Sequence, residues 1–276
     1  MTHCLVAAGT PTTAEAGIQV AKWGGNAIDA AVAAAVAAWV CEPGMTAFGS
    51  AVVGVVRVPE EPVMLVDGLT AMPGLGGHRG DPPGGQRITM DYGPGVETGV
   101  GPASIAVPGG PAALAEIQAR WGKLSWGEVL KPAIRLASEG FDFPEVSAAY
   151  MPLSGEPIYD LTEGSRAIWR HADGRPREAG DKTVLVELAA DLAQIAERGV
   201  DYFYQGELGG RIADWIIEQG GAMSREDLAA YKVSVDTPTT VDDHGWEVAT
   251  ARTIGSAALQ EIINGFSEVE PGSEAE

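Results

Sequence analysis

A layered α/β or α+β core is the fold class that this 276-residue sequence predicts. Three observations predict it. Residues 30–41 form an alanine- and valine-rich run with no polar face, and a helix that is apolar all round must be buried. The run is shorter than the roughly 20 residues a bilayer crossing needs, so a protein core is what buries it. Residues 51–58 and 63–67 are rich in valine and flank Pro59-Glu60-Glu61-Pro62, which reads as two strands with a tight connection, because proline there excludes both helix and ladder. Later segments carry apolar residues at helical spacing and stop at glycine, the pattern of amphipathic helices that cover a sheet.

Taken in order, residues 4–8 are a short apolar run, read as a first strand ahead of Gly9-Thr10-Pro11. An amphipathic helix follows, with Thr12 as its cap and Glu15, three residues on, reaching back in a capping box. Gly24 and Gly25 stop it, since glycine accepts a left-handed C-terminal cap without a Cβ penalty. Asn26 then caps a second helix from Ala27 to Cys41, and Asp29 sits in its first turn, where negative charge suits the helix dipole. A turn at Glu42-Pro43-Gly44 leads to the valine-rich pair.

From 68 to 110 the chain is dense in glycine and proline, and reads as a long loop with a little strand around 87–90. Gly74-Leu75-Gly76-Gly77-His78-Arg79 lacks the last glycine of a dinucleotide fingerprint and no Gly-Lys-Ser/Thr follows, so a flexible connection is favoured over a phosphate cradle. Residues 104–107 read as a strand. Pro111 opens a helix carrying Leu114, Ile117 and Trp121 and ended by Gly122. Residues 126–139 form another, with Val129, Leu130, Ile134 and Leu136 inward and Gly140 as its stop. Residues 150–182 read as irregular. Helices are expected at 185–198 and 206–219, a helical turn at 226–231, a strand at 246–250 and a last helix at 256–266. Tyr202, Phe203 and Tyr204 at a helix junction read as packing residues. One domain over 1–266 and an acidic, frayed tail over 267–276 complete the expectation.

The formal charge of −20 argues against a nucleic-acid backbone or an anionic membrane as partner, because both would repel it. Cys4 and Cys41 lie in apolar sequence and read as two buried thiols. The opening Met-Thr-His-Cys-Leu-Val-Ala-Ala has no charged leader and no sufficient apolar stretch, which gives no signal peptide to read and a cytoplasmic expectation.

Catalytic constellations fail one by one. His3, His78, His171 and His244 lack ligand spacing and no His-Glu-x-x-His occurs, so no metal is expected. Gly-x-Ser-x-Gly is absent, and Glu60-Glu61 and Asp242-Asp243 read as solvated turn charges.

A longer pattern does carry function. Glu15-Ala16-Gly17, Gly24-Gly25-Asn26-Ala27-Ile28-Asp29-Ala30-Ala31-Val32-Ala33-Ala34 and Glu42-Pro43 resemble the N-terminal signature of the gamma-glutamyltransferase family. The similarity continues through Val107-Pro108-Gly109, through Leu130-Lys131-Pro132-Ala133-Ile134-Arg135-Leu136-Ala137-Ser138-Glu139-Gly140-Phe141, and through Asp227-Leu228-Ala229-Ala230-Tyr231. The resemblance implies an α+β fold with the αββα layers of N-terminal nucleophile hydrolases, of which this chain supplies the large-subunit part only. It implies amide hydrolysis or acyl transfer on a small-molecule amide, with no metal or organic cofactor. In that family a threonine exposed by self-cleavage attacks the amide carbonyl and its own amine serves as base. That threonine lies downstream of everything matched here. The implied partner is a small-subunit-like chain carrying it, without which this chain is expected to be inactive.

The resemblance also implies a substrate-binding stretch, Asp-x-Arg-Glu-x-Ala-Pro, whose arginine meets the α-carboxylate of the glutamyl group. The matching stretch is Asp67-Gly68-Leu69-Thr70-Ala71-Met72-Pro73. Leu69 stands at the arginine position, followed by Thr70, and leucine cannot make the bidentate bond to a carboxylate. The expectation is a substrate without that carboxylate, or one met through another base such as Arg79. A similar acylase specificity, as in cephalosporin acylases, and a non-catalytic scaffold are the alternatives.

Overall fold

The computed structural model describes residues 4–77, 85–91, 93–154, 156–243, 245–251 and 254–267. Residues 4–8 form no strand among them; the extended segment has no ladder partner, and Cys4 is half-buried while Cys41 is buried. Helix α1 spans Pro11–Lys22. Its cap is Thr10, two residues earlier than Thr12: Thr13 N donates to Thr10 Oγ1 at 3.3 Å and Thr10 N donates to Thr13 Oγ1 at 3.1 Å. Pro11 decides this, because its missing N–H costs nothing at the first helical position. Glu15 is left on the surface beside Lys22.

Helix α2, Ala27–Cys41, starts at Asn26 as predicted. Asn26 Oδ1 accepts from Ile28 N and Asp29 N, and Asn26 N donates to Asp29 Oδ2 at 2.7 Å. The valine pair is β1, Val52–Val56, and β2, Met64–Gly68, an antiparallel hairpin in which Val52 faces Gly68 and Val56 faces Met64. A second hairpin, β3 (Gln86–Met90) with β4 (Val96–Val100), lies inside the glycine-rich loop. The expected strand at 104–107 is instead a 3-10 turn at Pro102–Ser104 and a single bridge between Val107 and Ala71.

Next come α3 (Gly110–Trp121), α4 (Trp126–Glu139) and β5 (Phe141–Asp142). The stretch read as irregular contains α5 (Glu145–Ser154), α6 (Glu156–Tyr159), α7 (Glu163–Trp169) and β6 (Lys182–Thr183). These helices are short, and α5 carries Pro152; they hold a small core of Phe143, Met151 and Trp169. The chain continues with α8 (Val186–Arg198), α9 (Asp201–Tyr204), α10 (Glu207–Glu218), α11 (Arg225–Ala230), β7 (Ser234–Asp236), β8 (Thr239–Asp243), β9 (Trp246–Thr250) and α12 (Ile254–Ser267). Of the expected tail only Ser267 is described, as the end of α12.

Strand β2 is the centre of a three-stranded antiparallel sheet, ordered β1-β2-β7. One face packs on α3: a Cβ on Gly54 would meet Ile117, and one on Gly68 would meet Ala113. Helix α2 lies in the core with Val32, Val36, Val40 and Trp39 buried, between α1 and α4. Asp29 is fully buried there, yet its carboxylate accepts from Gln118 Nε2, Lys123 N and Leu124 N as well as from Asn26 N, which offsets the cost of burying a charge. The other face of β1 is bare: Val53 and Val55 remain 37% and 46% exposed. Among the described residues no helix is long and apolar enough to cross a membrane.

Candidate functional site

The site grows from the point where β2 ends. Gly68 is buried against α3, and a Cβ there would also press on the carbonyls of Gly109 and Val52. Just beyond, Leu69 N donates to Asp67 Oδ1 at 2.9 Å. The backbone of Leu69 is held from the other side by Tyr231, whose hydroxyl donates to Leu69 O at 2.7 Å. Tyr231 stacks on Tyr204 with ring centroids 5.6 Å apart. Tyr204 is itself fixed, donating to Pro108 O at 2.7 Å and accepting from Ala112 N at 3.3 Å. Burial pushes the Tyr204 hydroxyl well above its ordinary pKa. Burial, helped by the Asp67 carboxylate, also raises Tyr231, so both hydroxyls stay protonated donors at neutral pH.

The segment then runs through the bridge to Val107, where Ala71 N donates to Val107 O at 3.0 Å and Val107 N donates to Ala71 O at 2.9 Å. It ends on Asp227. Gly74 N and Leu75 N both donate to Asp227 Oδ1 at 2.8 Å, while Ser224 N and Oγ donate to Oδ2 at 2.8 and 2.7 Å. Burial raises the pKa of the Asp227 carboxyl, but the bonds from Ser224, Leu75 and Gly74 outweigh it and leave the pKa below the ordinary value.

Opposite this segment lies the 44–50 turn. Gly44 has φ of +81°, and a Cβ there would strike Met151. Phe48 is wedged edge-on between Trp39 and Phe203, at centroid distances of 5.4 and 5.1 Å. Ser50 O accepts from Gly110 N at 2.9 Å and ties the turn to the start of α3. Between turn, Thr70 and the helices α8 and α10 opens a cavity of about 1060 Å³. Its walls are mainly apolar, with Trp39, Phe48, Ile105, Leu188, Trp215 and Met223 prominent. Thr46, Thr70, Ser104, Ser165 and the Asp191–Arg211 pair, 3.0 Å apart, supply polar groups. Such a chamber can hold an apolar group and orient it through a few polar contacts.

Of the residues expected to meet substrate, Thr70 lines this cavity. Leu69 does not line it; its side chain is 41% exposed beside it. Arg79 falls outside the described residues. Asp227 and Tyr231, which hold the segment, went unread as anchors in the sequence; the Ser224-x-x-Asp227 cap spacing ahead of α11 was the available signal.

Nucleophile chemistry is not assembled among the described residues. The Cys41 thiol donates to Ala37 O, and burial, reinforced by the neighbouring Glu42 carboxylate, pushes its pKa up to about 12, so it is not a reactive thiolate. His171 Nε2 lies 2.8 Å from Asp181 in a surface pair. No group of three or more His, Cys, Asp or Glu among the described residues is arranged to hold a metal ion.

Comparison with known proteins places this geometry. The family model described as gamma-glutamyltranspeptidase matches residues 13–274. An Acylase ACY 1 proenzyme from Pseudomonas sp. (strain SE83) is 32% identical over 250 residues, 88% of this chain and 44% of that relative. A Glutathione hydrolase proenzyme from Escherichia coli (strain K12) is 30% identical over 269 residues, 94% of this chain and again 44% of the relative. The solved Helicobacter pylori gamma-glutamyltranspeptidase superposes with a TM-score of 0.84 at 24% identity, covering 97% of this chain and 76% of that one. The chain thus spans less than half the length of these curated relatives, and what it matches is the large-subunit portion, in the α+β fold of N-terminal nucleophile hydrolases. With nearly its whole length matched by one family model and its backbone superposed on a solved member, the chain belongs to the gamma-glutamyltranspeptidase family.

Proposed function

We propose that this chain forms the large-subunit portion of an amide hydrolase or acyltransferase whose acyl group is apolar and carries no α-carboxylate. The observation that carries the reading is the pairing of Leu69 with Thr70: the first is half in water beside a chiefly apolar cavity, the second lines it. An acyl chain seated there would cover the exposed leucine, a gain of roughly 25 cal/mol per Å² of apolar surface removed from water. The similarity to an acylase proenzyme fits this substrate class. A second polypeptide segment, in the same gene product or a separate one, presents an N-terminal threonine. Its hydroxyl attacks the amide carbonyl, the amine takes the proton and passes it to the amine released as the C–N bond breaks, and water or an acceptor then resolves the acyl ester. This chain contributes the chamber and the pinned backbone beside it.

A gamma-glutamyl substrate is the second reading, favoured by the similarity to a glutathione hydrolase proenzyme; it needs a base in place of Leu69, the role open to Arg79. The test is hydrolysis of gamma-glutamyl and plain acyl anilides by this chain expressed together with the threonine-bearing segment. Release from the acyl anilide supports the proposal, and Leu69→Arg then shifts preference toward the gamma-glutamyl compound by about tenfold, the scale of one charge-assisted bond. Release from the gamma-glutamyl anilide alone overturns it in favour of the second reading. No release from either leaves a scaffold subunit.

A further inference from the structure

The segment from Leu69 to Gly77 has no helix or ladder of its own beyond one bridge, so its position is set by what grips it. Among the described residues, two side chains near opposite ends of α11 grip its backbone. Tyr231 holds the carbonyl of Leu69, and Asp227 holds the amides of Gly74 and Leu75. Both grips are rigid. The Tyr231 ring is stacked on Tyr204, and Asp227 is 3% exposed with Ser224 filling its second oxygen. The fit leaves no slack: a Cβ on Gly76 would meet Ser224 at 2.7 Å, and one on Gly109 would run into the Tyr231 hydroxyl and the Gly68 carbonyl.

We infer that Asp227 and Tyr231 are positioning residues for substrate selection, fixing Leu69 and Thr70 at the cavity without touching substrate themselves. The inference rests on the proposal that Leu69 and Thr70 meet the acyl group. A specificity segment works only if its supporting shell locks it, and here the shell is a six-residue helix with a hydroxyl at one end and a carboxylate near the other.

Tyr231→Phe is the discriminating variant, since it keeps the ring stack and removes one hydrogen bond. The first readout is hydrogen exchange on the full chain. Amides of residues 69–77 should exchange about fivefold faster, the scale of one lost bond, while α2, α4 and the β1–β2 hairpin keep their protection. Asp227→Ala, which removes both acceptor oxygens, should expose Gly74 and Leu75 in the same local way. The second readout is turnover of an acyl anilide by the co-expressed assembly: Tyr231→Phe should raise KM about fivefold and leave kcat within about twofold. Unchanged exchange in both variants, or loss of protection spread over the whole chain, overturns the clamp. Altered exchange with unchanged KM overturns its role in substrate selection. A wild-type assembly with no activity on any amide overturns the functional reading on which the inference rests, while exchange still decides whether the clamp exists.

Discussion

Asp29 shows how one residue commits a region. Its carboxylate accepts from Asn26, Gln118, Lys123 and Leu124 while fully buried, so it caps α2 and also fastens the turn between α3 and α4. Asp29→Ala strands those donors and should lower unfolding free energy by about 3 kcal/mol, read by urea denaturation. Asp227 gives a pH signature. Its folded pKa is depressed, so its contribution is present above the unfolded value of about 3.9 and is lost as pH falls through the folded one. In melts from pH 6 downward, the stability gap between wild type and Asp227→Asn should narrow below about pH 4. A gap that widens on acidification would contradict the assigned bonding.

Elements were legible where their signals are local. Asn26 with Asp29, the stop at Gly140 with φ of +89°, and the hairpin around Pro59 and Pro62 are written within a few residues of one another. Thr10 was missed in favour of Thr12 because both hydroxyls have a polar residue three positions on, and only the proline between them separates the two. Strand β7 and the grip of Asp227 on Gly74 were illegible for another reason: their partners lie more than a hundred residues away, and nothing in a strand or a carboxylate names a distant partner. The candidate site divides the same way. Leu69 and Thr70 were read from a contiguous stretch, whereas the cavity beside them is assembled by α8, α10 and the 44–50 turn. Where β2 meets α3 the packing is tight, and a Cβ on Gly109 would strike the Tyr231 hydroxyl and the Gly68 carbonyl. Gly109→Ala forces these backbones apart and should cost about 3 kcal/mol or more, with a matching fall in Tm.

At the scale of the molecule, the sheet is half covered. Helices close one face; on the other, Leu65 of β2 is buried but Val53 and Val55 of β1 are partly exposed, and β1 offers an edge with no partner among the described residues. Faces and edges of this kind associate. Expressed without a companion segment, the chain should self-associate in sedimentation experiments, and Val53→Lys with Val55→Lys should reduce that association while leaving the melting temperature within a few degrees of wild type, as exposed substitutions do. On the proposed function, the same pair should also block capture of the threonine-bearing segment. The Asp227 carboxylate, finally, joins residues 153 apart in sequence, which gives it a meaning in time. Contacts of such span form late, after local pairs such as the α1–α2 hairpin have closed. The backbone beside the cavity therefore takes its shape only once α11 has docked, and during refolding its amides should be among the last to gain protection. A nascent chain would carry a finished core before it carried a finished site.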